Sequence, residues 1–282
     1  MSSTIAELLS QRNRLQALSD TAALDTELLL CHCLQKNRSY LRCWPQVSVS
    51  NEIEQHFLSL LARREQGEPI AYLIGERGFW SLDLQVSPAT LIPRPETELL
   101  VEKSLALLSA YPRANVLDLG TGTGAIALAL AREKSSWQVL ACDVEAQAVS
   151  LAETNRRNLA LDNVVIIQSD WFKAITKQCF DLIVSNPPYI DREDPHLRIG
   201  DVRFEPRSAL VADNKGLADI EEIIVNAHAY LSDQGWLLLE HGYNQGEDVR
   251  DLLQQGGFNH IFTNQDFASV DRISGGQWRC AE

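Results

Sequence analysis

Asn115-Val116-Leu117-Asp118-Leu119-Gly120-Thr121-Gly122-Thr123-Gly124-Ala125-Ile126-Ala127-Leu128-Ala129-Leu130 reads as a short apolar strand, a glycine-rich turn and an alanine-rich helix in succession. Glycines at every second position let backbone approach a ligand where any side chain would collide. By the strand–loop–helix rule, that ligand sits at the carboxyl end of the strand. A merely flexible loop is the weaker reading, because both flanks have the right character. Working outward, Gln138–Cys142 is a second apolar strand ending at Asp143, nineteen residues past Gly124. A carboxylate there is placed to accept both hydroxyls of a ribose. A helix over 145–159 is expected next, then a third strand over 164–168. Asp170 and Trp171 follow it, placed to reach the exocyclic amine of an adenine and to pack its ring. A purely structural tryptophan is the competing reading.

Phe180-Asp181-Leu182-Ile183-Val184-Ser185-Asn186-Pro187-Pro188-Tyr189 supplies the fourth strand and a rigid polar elbow. Proline donates no backbone N–H, so Pro187 and Pro188 end the ladder, and Pro187 biases Asn186 towards an extended conformation. The Asn186 side-chain oxygen and the Pro187 carbonyl can each accept an N–H from a planar amide or exocyclic amine. Tyr189 can pack on the planar group. Asn-Pro also starts plain turns. A long loop over 190–214 follows, a length that compact domains often use for function. A helix over 217–231, a strand over 235–240, a helix over 245–255 and closing strands near 260–263 and 277–280 complete the pattern. Alternating strands and helices from Asn115 onward predict an α/β, doubly wound, mostly parallel sheet.

The N-terminal part has another grammar. Leu8, Leu9, Leu15, Leu28, Leu29, Leu30, Ile53, Phe57, Leu60 and Leu61 recur at helical spacing, and no glycine occurs before Gly67. A small helical unit over 1–74 is expected. An extended, hairpin-like linker over 75–93 and a larger domain over 94–282 follow it. Leu91-Ile-Pro-Arg94-Pro-Glu-Thr-Glu98 opens a helix. Arg94 either lies near the site or only precedes an acidic helix start.

The 282 residues are 45% hydrophobic and carry a formal charge of −13. That balance disfavours a phosphate-gripping DNA binder and suits a cationic ligand or basic protein partner. The six cysteines are scattered, and Cys31-His32-Cys33 is too tightly spaced for an ordinary zinc pair. No metal site is expected, thiols reduced in a cytoplasmic setting are the default, and no segment suits a membrane span.

Gly120-x-Gly122-x-x-Ala125 also fits the dinucleotide fingerprint, which keeps an NAD-dependent oxidoreductase open. The Asn186–Tyr189 elbow has no role in hydride transfer, but it has a direct one in methyl transfer to a planar nitrogen. In-line positioning is then the main catalytic contribution, and an acidic pocket from Asp118 and Asp143 would suit a sulfonium.

Asp118-Leu-Gly-Thr-Gly-Thr-Gly124 followed by Asn186-Pro-Pro-Tyr189 resembles class I (Rossmann-like, seven-stranded) S-adenosyl-L-methionine-dependent methyltransferases. Gly67-Glu-Pro-Ile-Ala-Tyr-Leu73, Phe79-Trp80 and Leu91–Glu98 behind a helical unit narrow this to the bacterial release-factor glutamine methyltransferase family. That resemblance implies that Gly120, Thr121, Gly122, Thr123, Gly124, Asp143 and Trp171 bind the methyl donor, with Asn186 also near it. S-adenosyl-L-homocysteine would be the product. It implies that Asn186, Pro187, Pro188 and Tyr189 hold the glutamine of the Gly-Gly-Gln loop of peptide chain release factors, with Asn186, Pro187 and Tyr189 catalytic. The helical unit would contact the release factor body. Nucleic-acid adenine-N6 methylation is the alternative, because such enzymes share the Asn-Pro-Pro-Tyr motif. The chain's own Gly275-Gly276-Gln277 raises automethylation as a further reading, a poor one if Gln277 begins the last strand.

Overall fold

The computed structural model describes residues 3–176 and 178–280. The chain divides into two units. The first runs to Glu76 and takes in His196–Phe204; the second comprises Arg77–Pro195 and the chain from Glu205 onward.

Five helices build most of the first unit: Ile5–Ser10, Ala22–Leu34, Arg38–Cys43, Asn51–Glu65 and Ile70–Ile74. Side-chain caps start three of them. Thr4 forms a reciprocal capping box with Glu7, Asn37 accepts from the Tyr40 amide, and Ser50 accepts from the Ile53 amide. Each such cap stabilises its helix by about 1 kcal/mol. Ile5, Leu15, Leu29, Leu30, Leu41, Phe57 and Leu61 close the core. Cys31 and Cys33 lie on the second helix, partly buried, and burial raises both thiols. Arg64 donates to Asp25 at 2.9 Å and to Asp201 at 3.3 Å. Arg203 donates to the Gln66 carbonyl at 3.2 Å. Part of the expected 190–214 loop is thereby fastened to this helical unit.

In the second unit a two-stranded sheet, β1 (Glu76–Phe79, whose first residue belongs to the helical unit) and β2 (Leu82–Gln85), comes first. The hairpin was expected as a linker, but Phe79, Leu82 and Leu84 lie in the core of this unit. The large sheet follows: β3 (Asn115–Leu119), β4 (Gln138–Asp143), β5 (Val164–Gln168) and β6 (Phe180–Ser185). The expected loop contains two short paired strands, β7 (Ile190–Asp191) and β8 (Val211–Ala212). β9 (Leu231–Glu240), β10 (Asn259–Gln265) and β11 (Asp271–Gln277) complete the set. The seven-stranded order is β10-β11-β9-β6-β3-β4-β5, parallel from β9 to β5 and antiparallel at β11 and β10.

Alternate residues of the central strands feed two cores. Val116, Leu182, Val184 and Leu238 face one side, and Leu117, Leu119, Ile183, Leu237 and Leu239 the other. Both faces being covered explains the unbroken apolar runs in the sequence. Two boundaries differ from expectation. The helix expected over 217–231 ends at Ala227, and β9 begins at Leu231. The last strand was expected at 277–280 but spans Asp271–Gln277, so Gln277 ends it. The alternation that defines it is hidden by Gly275-Gly276, whose missing side chains make room for Leu238, Phe262 and Phe258.

Candidate active site

The chain leaves β3 in one direction along the sheet and β6 in the other, so the switch point lies between them. Ligands bind outside the carboxyl ends of strands at such a point. In register, Leu119 pairs with Cys142 and with Ser185, and Ser185 with Leu239. Gly120, Asp143, Asn186 and Glu240 therefore emerge at one edge.

A cavity of about 250 Å³ opens there. Gly120, Thr121, Gly122, Thr123, Asp143, Trp171 and Asn186 line it, as do Arg94, Thr97, Asp170, Ser208 and Asp219. Gly120 and Gly122 have φ of 69° and 56°, and a Cβ on Gly120 would lie 3.5 Å from the Trp171 ring. Gly124 is set back from the cavity. It begins the helix Ala125–Glu133 at φ 86°, against Leu128.

The loop is held by side chains from neighbouring elements. Asp143 accepts from the Gly122 amide at 2.9 Å and from the Glu145 amide at 3.0 Å. Asn155, 1% exposed, accepts from the Gln85 amide at 2.8 Å and donates to the Gln85 and Thr123 carbonyls at 3.0 and 2.9 Å. Asp118 is fully buried; one oxygen accepts from the Thr121 hydroxyl at 2.6 Å and the Ala127 amide at 3.2 Å, and the other has no partner among the described residues. Burial pushes its carboxyl up to about 7 and raises Asp143 as well. Trp171 sits at φ 44°, a conformation bulky residues rarely adopt. Its carbonyl accepts from the Ser169 hydroxyl at 2.7 Å, and its indole N–H lies near enough to Asp219 to favour that carboxylate's charged form. Such backbone strain costs roughly 1–3 kcal/mol and persists only where surroundings enforce it.

On the elbow, only Asn186 reaches the cavity. Its amide nitrogen donates to the Thr97 hydroxyl at 3.1 Å, and both residues line the cavity. Pro187 is buried and Pro188 half-buried behind it. The Tyr189 hydroxyl donates to Glu240 at 3.1 Å, and burial raises the phenol. Gln245 donates to the Tyr189 carbonyl at 3.1 Å. Arg94 pairs with Glu205, whose buried carboxylate also accepts from the Ile92 amide at 3.1 Å.

Thr97, Asn155, Asp219, Glu240 and Gln245 escaped the sequence reading. Two carried a signal: Glu240 ends an apolar strand just as Asp143 does, and asparagine inside a helix is unfavourable without a partner. The others had none. Gly275-Gly276-Gln277 lies elsewhere. Ile273 pairs with Glu240, while Gln277 pairs with Trp236 and donates to the Gln234 carbonyl at 2.9 Å. The glutamine sits towards the opposite edge of the sheet, which removes automethylation within one folded molecule.

The cavity fits a methyl-donor nucleoside: carboxylates at Asp143, Glu145, Asp170 and Asp219 outnumber the single Arg94 in its lining, and the buried Asp118 beneath the glycine loop keeps one oxygen without a partner among the described residues. Residues 7–75 match the PrmC N-terminal domain and residues 95–207 the methyltransferase small domain. The release factor glutamine methyltransferase of Pseudomonas aeruginosa is 56% identical over 262 residues, 93% of this chain and 95% of that protein. Its counterpart in Escherichia coli K12 is 49% identical over 266 residues, 94% of this chain and 95% of that protein. A methyltransferase structure from Pyrococcus furiosus shares the fold, with TM-score 0.53 and 16% identity across 79% of this chain and 99% of that one. Seven mostly parallel strands, the glycine loop, the Asn186 elbow and near full-length identity converge: this chain belongs to the release factor glutamine methyltransferase family.

Proposed function

We propose that the chain methylates the side-chain amide nitrogen of the glutamine in the Gly-Gly-Gln loop of peptide chain release factors, with S-adenosylmethionine as donor. The observation that carries this reading is the Asn186 carboxamide. Its nitrogen is committed to Thr97, so its oxygen presents an acceptor at the cavity wall.

Gly120–Thr123, Asp143 and Trp171 would hold the donor, and Asp143 would supply negative charge to it. When bound, the donor supplies an electrophilic methyl group on a sulfonium. The chain's own residues do the rest. Asn186 Oδ1 accepts an N–H bond of the substrate amide, which aims the nitrogen and favours its pyramidal form. Such alignment accounts for several kcal/mol of barrier. An N-methylated, protonated amide is strongly acidic and loses its proton to water, so no general base is required. The Tyr189 hydroxyl, held by Glu240, anchors the end of the elbow. The helical unit, residues 1–74, contacts the release factor body, and the work belongs in the cytoplasm, where translation ends. No helix of the described residues is long and apolar enough to cross a membrane.

The test is methyl transfer from labelled S-adenosylmethionine to a purified release factor and to its Gln→Ala loop variant. Label on the wild type alone supports the reading. Label on neither, with label on adenine in DNA or RNA, replaces it with nucleic-acid methylation.

A further inference from the structure

Behind the elbow lies a carboxylate that the proposed chemistry does not use. Glu240 is 1% exposed at the end of β9. Its Oε1 accepts from the Tyr189 hydroxyl at 3.1 Å, and its Oε2 has no hydrogen-bond partner among the described residues. The Thr97 hydroxyl faces this carboxylate closely enough to favour its charged form, although no bond of ordinary length joins them. Thr97 is itself 5% exposed and already accepts from Asn186. A hydroxyl that accepts one hydrogen bond must send its own hydrogen elsewhere, and the Glu240 carboxylate is the charged acceptor beside it.

We infer that Glu240 is a positioning residue: through the Thr97 hydroxyl it sets which end of the Asn186 carboxamide faces the cavity, and through the Tyr189 hydroxyl it holds the end of the elbow. The inference rests on the reading of Asn186 as the group that receives the acceptor nitrogen. The logic is directional. An ionised carboxylate only accepts. Thr97 must then point its hydrogen at Glu240 and its lone pair at Asn186, which fixes Nδ2 towards Thr97 and Oδ1 towards the cavity. The flipped amide would need Thr97 to donate to Asn186 and to accept from Glu240, which a carboxylate cannot do. A neutral amide at 240 can donate, so it admits the flipped state, in which Asn186 offers N–H groups to a substrate that also offers N–H groups. The chain uses the carboxylate despite the burial cost, which pushes Glu240 up to about 7. The other groups facing it are the Arg272 cation, which favours ionisation, and Glu96, which opposes it; Arg94 faces the Tyr189 side.

The experiment compares E240Q, T97V, T97S and the E240Q/T97V double with wild type. It measures turnover at saturating donor, donor affinity by calorimetry, and melting temperature. The acceptor is whichever substrate the wild type methylates, so the substrate reading is judged on the wild type and the network on the variant ratios. E240Q and T97V should each lose at least tenfold in turnover while donor affinity stays within threefold. The double should be no slower than the worse single, and T97S should restore most of what T97V loses. The acid limb of wild-type turnover at saturating donor should be absent in E240Q. Turnover of E240Q within twofold of wild type, or losses that multiply in the double, overturns the inference. If E240Q does not fold, equal turnover in T97V and T97S overturns it instead.

Discussion

Asn155 offers the sharpest test of how the glycine loop is held. It joins three backbone groups from two segments distant in sequence: the Gln85 amide and carbonyl at 2.8 and 3.0 Å, and the Thr123 carbonyl at 2.9 Å. Asn155→Ala strips all three in a site that is 1% exposed. A buried backbone group without a partner costs roughly 1–3 kcal/mol. Taking the low end for each, because the vacated volume admits some water, the loss is about 3 kcal/mol. At about 2–4 °C per kcal/mol for a unit of this size, the methyltransferase unit should melt roughly 6–12 °C lower. Loosening Thr123 should also weaken donor binding at least threefold. Asn155→Asp is the more telling change. It keeps the acceptor for the Gln85 amide but turns a second oxygen on two carbonyls, so at pH 8 it should be worse than alanine. Acidification should partly restore it, because the protonated acid can donate to one carbonyl. Thermal melts and donor titrations at pH 6 and pH 8 read all of this. An alanine loss below about 1 kcal/mol, with aspartate equal to it at both pH values, would refute the clamp.

The other expectations concern neighbouring contacts. A Cβ on Gly216, at φ 84°, would lie 2.1 Å from the Tyr189 carbonyl oxygen; G216A should therefore lose at least tenfold in turnover with donor affinity within threefold, read by single-turnover assay and calorimetry. R94A removes the cation beside Glu205, whose side chain is fully buried; urea unfolding should show a loss of about 3 kcal/mol, as when one partner of a buried pair is removed. Asp118 has a folded value of about 7 against an ordinary 3.8. The folded state thus keeps its proton longer than the unfolded one, and this residue's contribution to stability falls as pH rises between those values. Between pH 5 and 7, wild type should lose roughly 2–3 kcal/mol relative to D118N in urea unfolding without donor; parallel curves would sink the assignment.

Much of this was readable from sequence because strand ends at a switch point are marked by composition. The glycine loop, Asp143 and the Asn186 elbow each follow an apolar strand, and the fold brings all three to one cavity. What stayed hidden depends on pairings between distant segments. Glu240 is brought to the elbow only once Ser185 is in register with Leu239, and Thr97 only when the helix start at 95–98 packs against Asn186. The hairpin looked like a linker because its alternation says nothing about what covers it; Asn155 and the core around Phe79 decide that. The anchoring of the elbow was hidden too. The Tyr189 hydroxyl donates to Glu240, a partner from a strand far along the chain that no local pattern announces.

The order of strands in the large sheet bears on how the protein is made. β11 is the last strand of this sheet along the chain, yet it lies between β9 and β10, both earlier. A ribosome that has released the chain only as far as Phe267 has produced every donor-site and elbow residue, but β10 has no neighbour to pair with and the β11 side of β9 is open. Two unpaired edges then persist for the time needed to synthesise the next ten or so residues, a template for association with other chains. β11 is antiparallel to both neighbours, so the hairpin from β10 can zip shut and dock on β9 in one local step. That arrangement keeps the exposed interval short and delays the closing of the sheet at Glu240 until the final strand has arrived.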